Sequence, residues 1–451
     1  MSDKTSYVRG SGSFRGGVHP PGFKAQAAER PIEVAPQPQQ VNIPLLQHTG
    51  AACEPAVQPK QQVRSGDVIG DAEAFISAPV HTPIAGTVGR LSVATLPNGR
   101  HVRTVPVRAD GEQLTGQSLW DDIFGGDWPT DGLEKHDPTK IVQATHDAGL
   151  VGLGGAAFPT HVKLTFNEKK PIDTLLVNGC ECEPYLTADY RLMLEAPAPI
   201  IVGAILAAAA VRAKRIIIAV EDNKPAAVEK MRDVAGGAGV EVAVVKTKYP
   251  AGSERQTIFT VLGRKVPVPG LPLDVGVVVL NVGTAAAVAR AVLRGRPLTH
   301  RVVTVTGPGI REPKNLLVPI GISYGELIEY CGGLTLDAAR VVAGGPMMGF
   351  ALGSFDTPVT KGTSGVVAMT HRDIRRAGET NCIRCGRCVD ACPVNLVPTK
   401  IALATRNADW DLAERYYITA CNECGCCAYV CPAGIPLVQL IRAGKAQMPK
   451  E

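Results

Sequence analysis

At 451 residues the chain has length for about three or four domains with real cores, so it is neither a peptide nor a tail. Its 48 Gly and 35 Pro make it rich in turns, and no low-complexity tract dominates. A formal charge of +5, spread without a basic run, gives little support to nucleic-acid binding and allows only a mild bias toward an acidic carrier or a membrane surface.

Residues 1–40 are polar, broken by Gly16-Gly17-Val18-His19-Pro20-Pro21 and by Pro36 and Pro38, and lack the apolar core of a secretory signal. They are expected to be extended, to lie against other domains and to carry no chemistry. A cytoplasmic chain follows, and in that reducing compartment clustered cysteines are metal ligands far more often than disulfides. Between residues 41 and 110, short alternating segments at Val63–Ile69, Ala74–Ala78, Thr82–Val88 and His101–Val107 predict a small β domain. The stretches Gly66–Gly70 and Ser77–Val88 resemble the barrel-sandwich domains that carry biotin or lipoate. A carrier presents a lysine on an exposed hairpin, and His81–Gly86 has none, which leaves a structural or docking module.

A polar linker near Gly111–Lys140 leads into an alternation of strand and helix assigned to 125–297. Strands are predicted at Asp173–Asn178, Arg215–Val220, Val240–Lys246 and Val275–Val282, and helices at Ile200–Ala213, Pro225–Val234 and Thr284–Arg294. Such alternation predicts an α/β domain with a largely parallel sheet, whose ligands sit beyond the carboxyl ends of the strands. Its most apolar run, Ala196–Val211, contains Pro197, Pro199 and Gly203, falls short of a bilayer span and reads as a buried helix. Just before the first strand runs Gly149-Leu150-Val151-Gly152-Leu153-Gly154-Gly155-Ala156-Ala157-Phe158-Pro159-Thr160. A loop this poor in Cβ atoms lets backbone N–H groups approach an anion, and a helix beginning after it would add partial positive charge; the same loop is also read as a plain turn.

Residues 300–370 predict a small α+β module: strands at Val302–Thr306 and Lys314–Val318, a helix over Ser323–Tyr330, and a loop at Gly344–Gly349 whose Met347 and Met348 are packing residues. The last segment, 375–451, carries Cys382, Cys385, Cys388 and Cys392-Pro393, then Cys421, Cys424, Cys427 and Cys431-Pro432. Each set reads C-x2-C-x2-C-x3-C-P. Three thiolates at that spacing converge on one cubane while the fourth, turned away by proline, reaches the other. The expected ligands are Cys382, Cys385, Cys388 and Cys431 for one [4Fe-4S] cluster, and Cys421, Cys424, Cys427 and Cys392 for the second. Structural zinc sites instead show two C-x2-C halves across a longer loop. Cys426 breaks the spacing and is a spectator. Helices at Thr399–Arg406 and Trp410–Tyr417 make this domain mostly α.

Taken together, Gly149–Lys163, Leu176–Tyr185, Tyr249–Glu254 and Leu280–Thr284 resemble the FMN- and NADH-binding subunit of respiratory complex I. With the β segment in front and the two-cluster module behind, essentially the whole chain resembles the C subunits of Rnf-type ion-translocating ferredoxin:NAD⁺ oxidoreductases. The resemblance implies a multidomain α/β protein: a barrel-sandwich β domain, a Rossmann-like flavin domain, a β-grasp module and a mostly α two-cluster ferredoxin domain. It implies FMN near Gly152, Gly154 and Gly155, with Lys163 and Asn178 beside it and Asn281 and Thr284 below. Glu181 and Glu183 would line the nicotinamide side, Phe158 and Phe166 would stack on the NADH adenine, and Tyr249, Gly252 and Glu254 would wall the flavin. Departures from the complex I pattern are Leu153 for arginine, Cys180 for aspartate and Ser253 for glutamate.

By its residues alone, Glu181-Cys182-Glu183 is a turn with solvated carboxylates, Phe158 and Phe166 are core aromatics, Cys180 and Cys182 are buried thiols, and His19, His81 and His161 have no role. The implied activity is hydride exchange between NAD(H) and FMN, followed by single-electron transfer through two clusters. The implied partners are membrane and iron–sulfur subunits, with ferredoxin reached indirectly. No transmembrane segment is expected, and the implied location is peripheral, on the cytoplasmic side of the inner membrane. Two alternatives stay open: a cobalamin reductase of diol-metabolising microcompartments, whose barrel-sandwich segment lies near the carboxyl terminus instead, and a flavin-free relay scaffold.

Overall fold

The computed structural model describes residue 10, residues 12–374 and residues 378–448. The chain is a multidomain α/β protein, with four sheets among the described residues. The sheet that positions the site is wholly parallel, in the order Val240–Val245, Arg215–Glu221, Thr174–Gly179, Val277–Asn281. Thr174–Gly179 is buried on both faces: Leu175 and Val177 point to one core, Leu176 to the other, as the period of two requires. The chain winds outward from Thr174–Gly179 in one direction and returns to its other side with Val277–Asn281. This places a topological switch point at the carboxyl ends of those two strands, where open α/β sheets form a crevice for ligands.

Helix Pro197–Val211 lies on one face and is buried along its length apart from Ala198 and Ala209. Its two prolines, Pro197 and Pro199, sit in the first turn, where a missing N–H costs nothing. It packs on helix Val282–Arg294 with Gly203 at the crossing, where a Cβ would overlap the Ala285 carbonyl. Among the described residues, no single helix is long and apolar enough to cross a membrane.

The first β region differs from its sequence reading in the short strands. Val63–Ile69 splits between two sheets as Gln62–Val63 and Val68–Asp71, because Gly66 turns through φ +93° and the Asp67 carboxylate takes the Arg64 amide. Ala74–Ala78 is not a strand; the Ser77 hydroxyl bonds the carbonyls of Ala72 and Ala74, closing a local turn. The stretch read as a linker at Gly111–Lys140 holds helix Gly116–Ile123 and the start of helix Pro138–Asp147. Leu119 and Ile123 enter the main core from it.

The third region forms a mixed six-stranded sheet. His300–Thr306 and Lys314–Pro319 pair antiparallel, and Ser323 caps helix Tyr324–Tyr330 through a reciprocal box with Glu326. The amino-terminal segment supplies this sheet's edge strand, Ile32–Val34, parallel to Lys314–Pro319. Upstream, the same segment runs as a strap over the other modules: Val18 pairs with Tyr249, and the Gly17 amide donates to the Ala391 carbonyl. The last module is helical, with Pro398–Arg406 against Leu437–Gln447.

Gly203→Ala should destabilise the protein by about 3 kcal/mol or more, because backbone on a neighbouring helix cannot yield as a side chain would. A thermal melt of the variant beside the parent protein checks this.

Candidate functional site

The glycine-rich loop closes on itself before meeting the sheet. Val151 bridges Pro159, and the Gly152 amide donates to the Phe158 carbonyl at 2.8 Å. The tip Gly154–Ala156 is exposed, and a Cβ at Gly155, whose φ is +107°, would meet nothing within 4 Å. The loop is anchored from below: the Leu153 amide donates to Thr284 Oγ1 at 2.9 Å, and Arg301 Nη2 donates to the Leu153 carbonyl at 3.3 Å. The helix directly after the loop, Thr160–Leu164, has five residues and brings little dipole. The long helix that meets the loop is Val282–Arg294, capped by the Asn281 side chain on the Gly283 amide.

Across the crevice, Asn178 Nδ2 donates to the Gly252 carbonyl at 2.7 Å, and its Oδ1 accepts from the Cys180 amide. A Cβ at Gly252 would lie 3.1 Å from Cys182 Sγ, and one at Gly154 would lie 3.5 Å from the Asn281 side chain. Two glycines thus keep the walls thin on either side of the paired asparagines. Lys163 pairs with the Glu254 carboxylate and reaches the Val279 carbonyl. The structure therefore brings together Gly152, Gly154, Gly155, Lys163, Asn178, Gly252, Glu254, Asn281 and Thr284. Phe158 adjoins them through its carbonyl. Phe166 is apart: the Arg212 guanidinium covers its ring at 4.3 Å, and Arg212 lies just ahead of Arg215–Glu221, at the amino end of the sheet.

The two glutamates are not solvated. Glu181, at φ +48°, turns its carboxylate onto the amides of Asp189 and Tyr190 at the start of helix Ala188–Glu195. The Glu183 carboxylate takes the amides of Met347 at 3.1 Å and Met348 at 2.9 Å, so the methionine loop is a backbone clamp as well as packing. A Cβ at Gly345 would overlap that carboxylate, which explains the glycine. Tyr249, 2% exposed, contacts Glu183 at 3.4 Å and donates to the Cys424 carbonyl at 2.8 Å. Cys180 and Cys182 stay protonated because burial pushes both thiols up.

Sequence reasoning missed Asp189, which accepts from Asn281 Nδ2 at 2.6 Å and whose carboxyl burial pushes up. It also missed Arg301. Both line a cavity of about 30 Å³ under the loop, with Arg290 and His300, room for about one water. Only the proximity of Asp189 to the motif Glu181-Cys182-Glu183 was a signal; Arg301 sits in an ordinary strand.

Cys392, Cys421, Cys424 and Cys427 line one cavity with Leu396, Ile401, Val438 and Ile441. Four soft thiol donors in an apolar shell fit an iron–sulfur cluster, and they are the set expected from spacing for the second one. Cys426 shares this lining and lies within hydrogen-bond reach of Cys424. In the other set Cys388 and Cys431 pack together with Cys427, while Cys382 and Cys385 are exposed. Among the described residues, no three His, Cys, Asp or Glu side chains converge on a single-ion site.

Family models match four stretches of the chain: the RnfC barrel sandwich hybrid domain over residues 12–112, the Nuo51 FMN-binding domain over 145–290, the SLBB domain over 302–351 and the 4Fe-4S dicluster domain over 379–435. Among relatives, the C subunit of the proton-translocating ferredoxin:NAD(+) oxidoreductase complex of Clostridium ljungdahlii is 41% identical over 96% of this chain and 94% of its own. The C subunit of the Na(+)-translocating complex of Acetobacterium woodii is 40% identical over 89% of each chain. The C subunit of the ion-translocating oxidoreductase complex of Rhodobacter capsulatus is 41% identical over 97% of this chain and 83% of its own.

Burial raises the Glu183 carboxyl from 4.5 to about 7, against the pull of the Met347 and Met348 amides. Between those values the unfolded chain ionises first, so this carboxyl's contribution to stability is fully present at the lower pH and is lost as pH rises toward about 7. An infrared pH titration should show a protonated-carboxyl band fading with a midpoint of about 7 that Glu183→Gln removes.

Proposed function

Because the chain belongs to the family of C subunits of ion-translocating ferredoxin:NAD(+) oxidoreductase complexes, we propose that it exchanges reducing equivalents between NAD(H) and FMN in the switch-point crevice and passes electrons singly to iron–sulfur clusters. Its cofactors are FMN and [4Fe-4S] clusters, with NAD(H) as substrate. When bound, FMN supplies the conversion between a two-electron donor and one-electron acceptors.

The observation that carries this reading is Tyr249. It stands three residues before Gly252, whose carbonyl Asn178 holds, and its hydroxyl donates to the carbonyl of Cys424, whose thiol lines the four-cysteine cavity. One side chain thus holds a nucleotide-type crevice against a cluster-type cavity. Around the crevice, Gly154 and Gly252 give the backbone close approach, Asn281 and Thr284 anchor the floor, and Asn178 fixes the far wall. Lys163 and Glu254 neutralise one another at the side. Glu183 and Glu181 hold the loop beyond Asn178 in place, so their effect on the nicotinamide would run through that loop. Phe158 remains a candidate for the adenine, whereas Phe166 would have to be released from Arg212 first. The thiols of Cys392, Cys421, Cys424 and Cys427 would hold one cluster; Cys382, Cys385, Cys388 and Cys431 would hold the other, nearer the surface.

We further assign the finer architecture within the family as a barrel-sandwich domain, a Rossmann-like flavin domain, a β-grasp module and a ferredoxin-like domain, with boundaries near 41–110, 125–297, 300–370 and 375–451. In support, the four matched models fall in that order along the chain. The front position of the barrel-sandwich stretch also speaks against the cobalamin reductase. Within a multi-subunit complex, the chain would deliver electrons to membrane and iron–sulfur subunits and so indirectly exchange them with ferredoxin, from a peripheral position on the cytoplasmic side.

Anaerobically purified protein should contain about eight iron atoms, from two four-iron clusters, and one FMN that NADH bleaches. Stoichiometric zinc without acid-labile sulfide would sink the cluster assignment, and a chain without flavin would leave the relay reading. Cys392→Ala should lose the electron paramagnetic resonance signal of one cluster while keeping NADH bleaching of the flavin.

A further inference from the structure

We propose that Lys24, in the amino-terminal strap where no chemistry was expected, is a positioning residue for the cofactor site: its ammonium holds the loop Glu181–Leu186 by three of that loop's carbonyl oxygens. Lys24 Nζ donates to the carbonyls of Glu181 at 2.9 Å, Glu183 at 3.0 Å and Leu186. An ammonium has three N–H groups, and all three are used. The loop needs an internal cation because it is bent against its own preference. Glu181 and Tyr185, neither of them glycine, stand at φ +48° and +71°, and the carbonyls of Glu181, Glu183 and Leu186 turn inward on one point instead of pairing along a strand or helix. Inward carbonyls left unpaired would carry a full desolvation penalty.

The neighbouring strap residues bind the same loop. The Tyr185 amide donates to the Gly22 carbonyl at 2.7 Å, and Phe23 stacks on the Tyr185 ring at 4.9 Å with 17° between planes. Farther up the strap, Val18 exchanges backbone hydrogen bonds with Tyr249, and Gly17 donates to Ala391. Lys24 touches neither cofactor crevice nor cluster cavity. It acts through the loop, whose Glu181 side chain caps helix Ala188–Glu195 and whose Glu183 side chain clamps Met347 and Met348. Loss of the ammonium releases the backbone between those two anchors and the wall of the crevice with it.

This inference rests on the crevice beyond Asn178 and Asn281 being the FMN and NAD(H) site. The test uses the full chain, loaded anaerobically, as parent, Lys24→Met, Lys24→Arg and Phe23→Ala. Amide hydrogen exchange over residues 181–190 is read beside FMN affinity, iron content, and kcat and KM for NADH with an artificial acceptor. Lys24→Met should keep the parent's iron content, speed exchange over 181–190 and raise the KM for NADH about tenfold with little change in kcat, a split that general loss of folded protein would not give. Lys24→Arg, which still offers several N–H donors, should recover part of that loss. Phe23→Ala removes a half-exposed ring and should shift both readouts in the same direction by about threefold. If Lys24→Met does not fold, Phe23→Ala carries the test alone. Parental exchange and parental KM in whichever of these variants folds would overturn the proposal. A parent chain that takes up no FMN overturns the functional reading instead, and is told apart by its flavin content.

Discussion

Taking the Glu183 carboxylate out of water is unfavourable, and the chain offsets this with two amides of the methionine loop, the hydroxyl of Tyr249 lying 3.4 Å away. The amides come from the sheet region beyond residue 300 and the hydroxyl from the turn at 249–252, and Tyr249 donates its proton to the backbone of the cysteine module. The crevice, the clamp loop and the thiol cavity keep their spacing as long as this network is complete. With its carboxyl already raised to about 7, Glu183 answers the loss of a donor by holding its proton more tightly, so the network and that proton are coupled.

Buried ammonium and guanidinium groups do the same elsewhere. Lys361, fully buried and lowered by desolvation to about 7, donates to Pro79 at 2.6 Å and Gly149 at 2.7 Å, tying the β region to the root of the glycine-rich loop. Arg301 joins Lys361 and Leu153 by their carbonyls. Lys224 binds the Cys180 carbonyl and the Glu221 carboxylate. In each case a cation is spent on main-chain oxygens at a turn, where regular secondary structure leaves acceptors over. Modules that each bury a core of their own are thereby set in register by directional contacts.

The positions of Gly154 and Gly252 follow from the same geometry. The crevice opens where the sheet's winding reverses, and its two walls come from loops far apart in the chain. At Gly252 a Cβ would press on Cys182 Sγ at 3.1 Å, whereas at Gly154 it would make only an ordinary contact with Asn281 at 3.5 Å. The site is therefore a property of strand order, with residue identity refining it.

Much was legible in the one-dimensional text because its physics is local. Continuous apolar runs marked the four parallel strands, C-x2-C-x2-C-x3-C-P marked the thiols, and apolar text marked the buried helix expected from Ile200, which in the fold already begins at Pro197. The pairing of Cys392 with the later cysteine set also came from spacing, since proline decides which way the fourth thiol turns. Short strands such as Gln62–Val63 and the amphipathic helix Gly116–Ile123 were misread, because two residues hold no period and a helix in polar text shows its apolar face only against a neighbour. What the tertiary structure alone decided was the partner of each buried charge: that Glu183 faces Met347, that Phe166 lies under Arg212, and that Lys24 sits beneath Glu181, 157 positions away. The physical reason is that a hydrogen bond depends on a distance of about 3 Å and on direction, and neither quantity is encoded by separation along the chain.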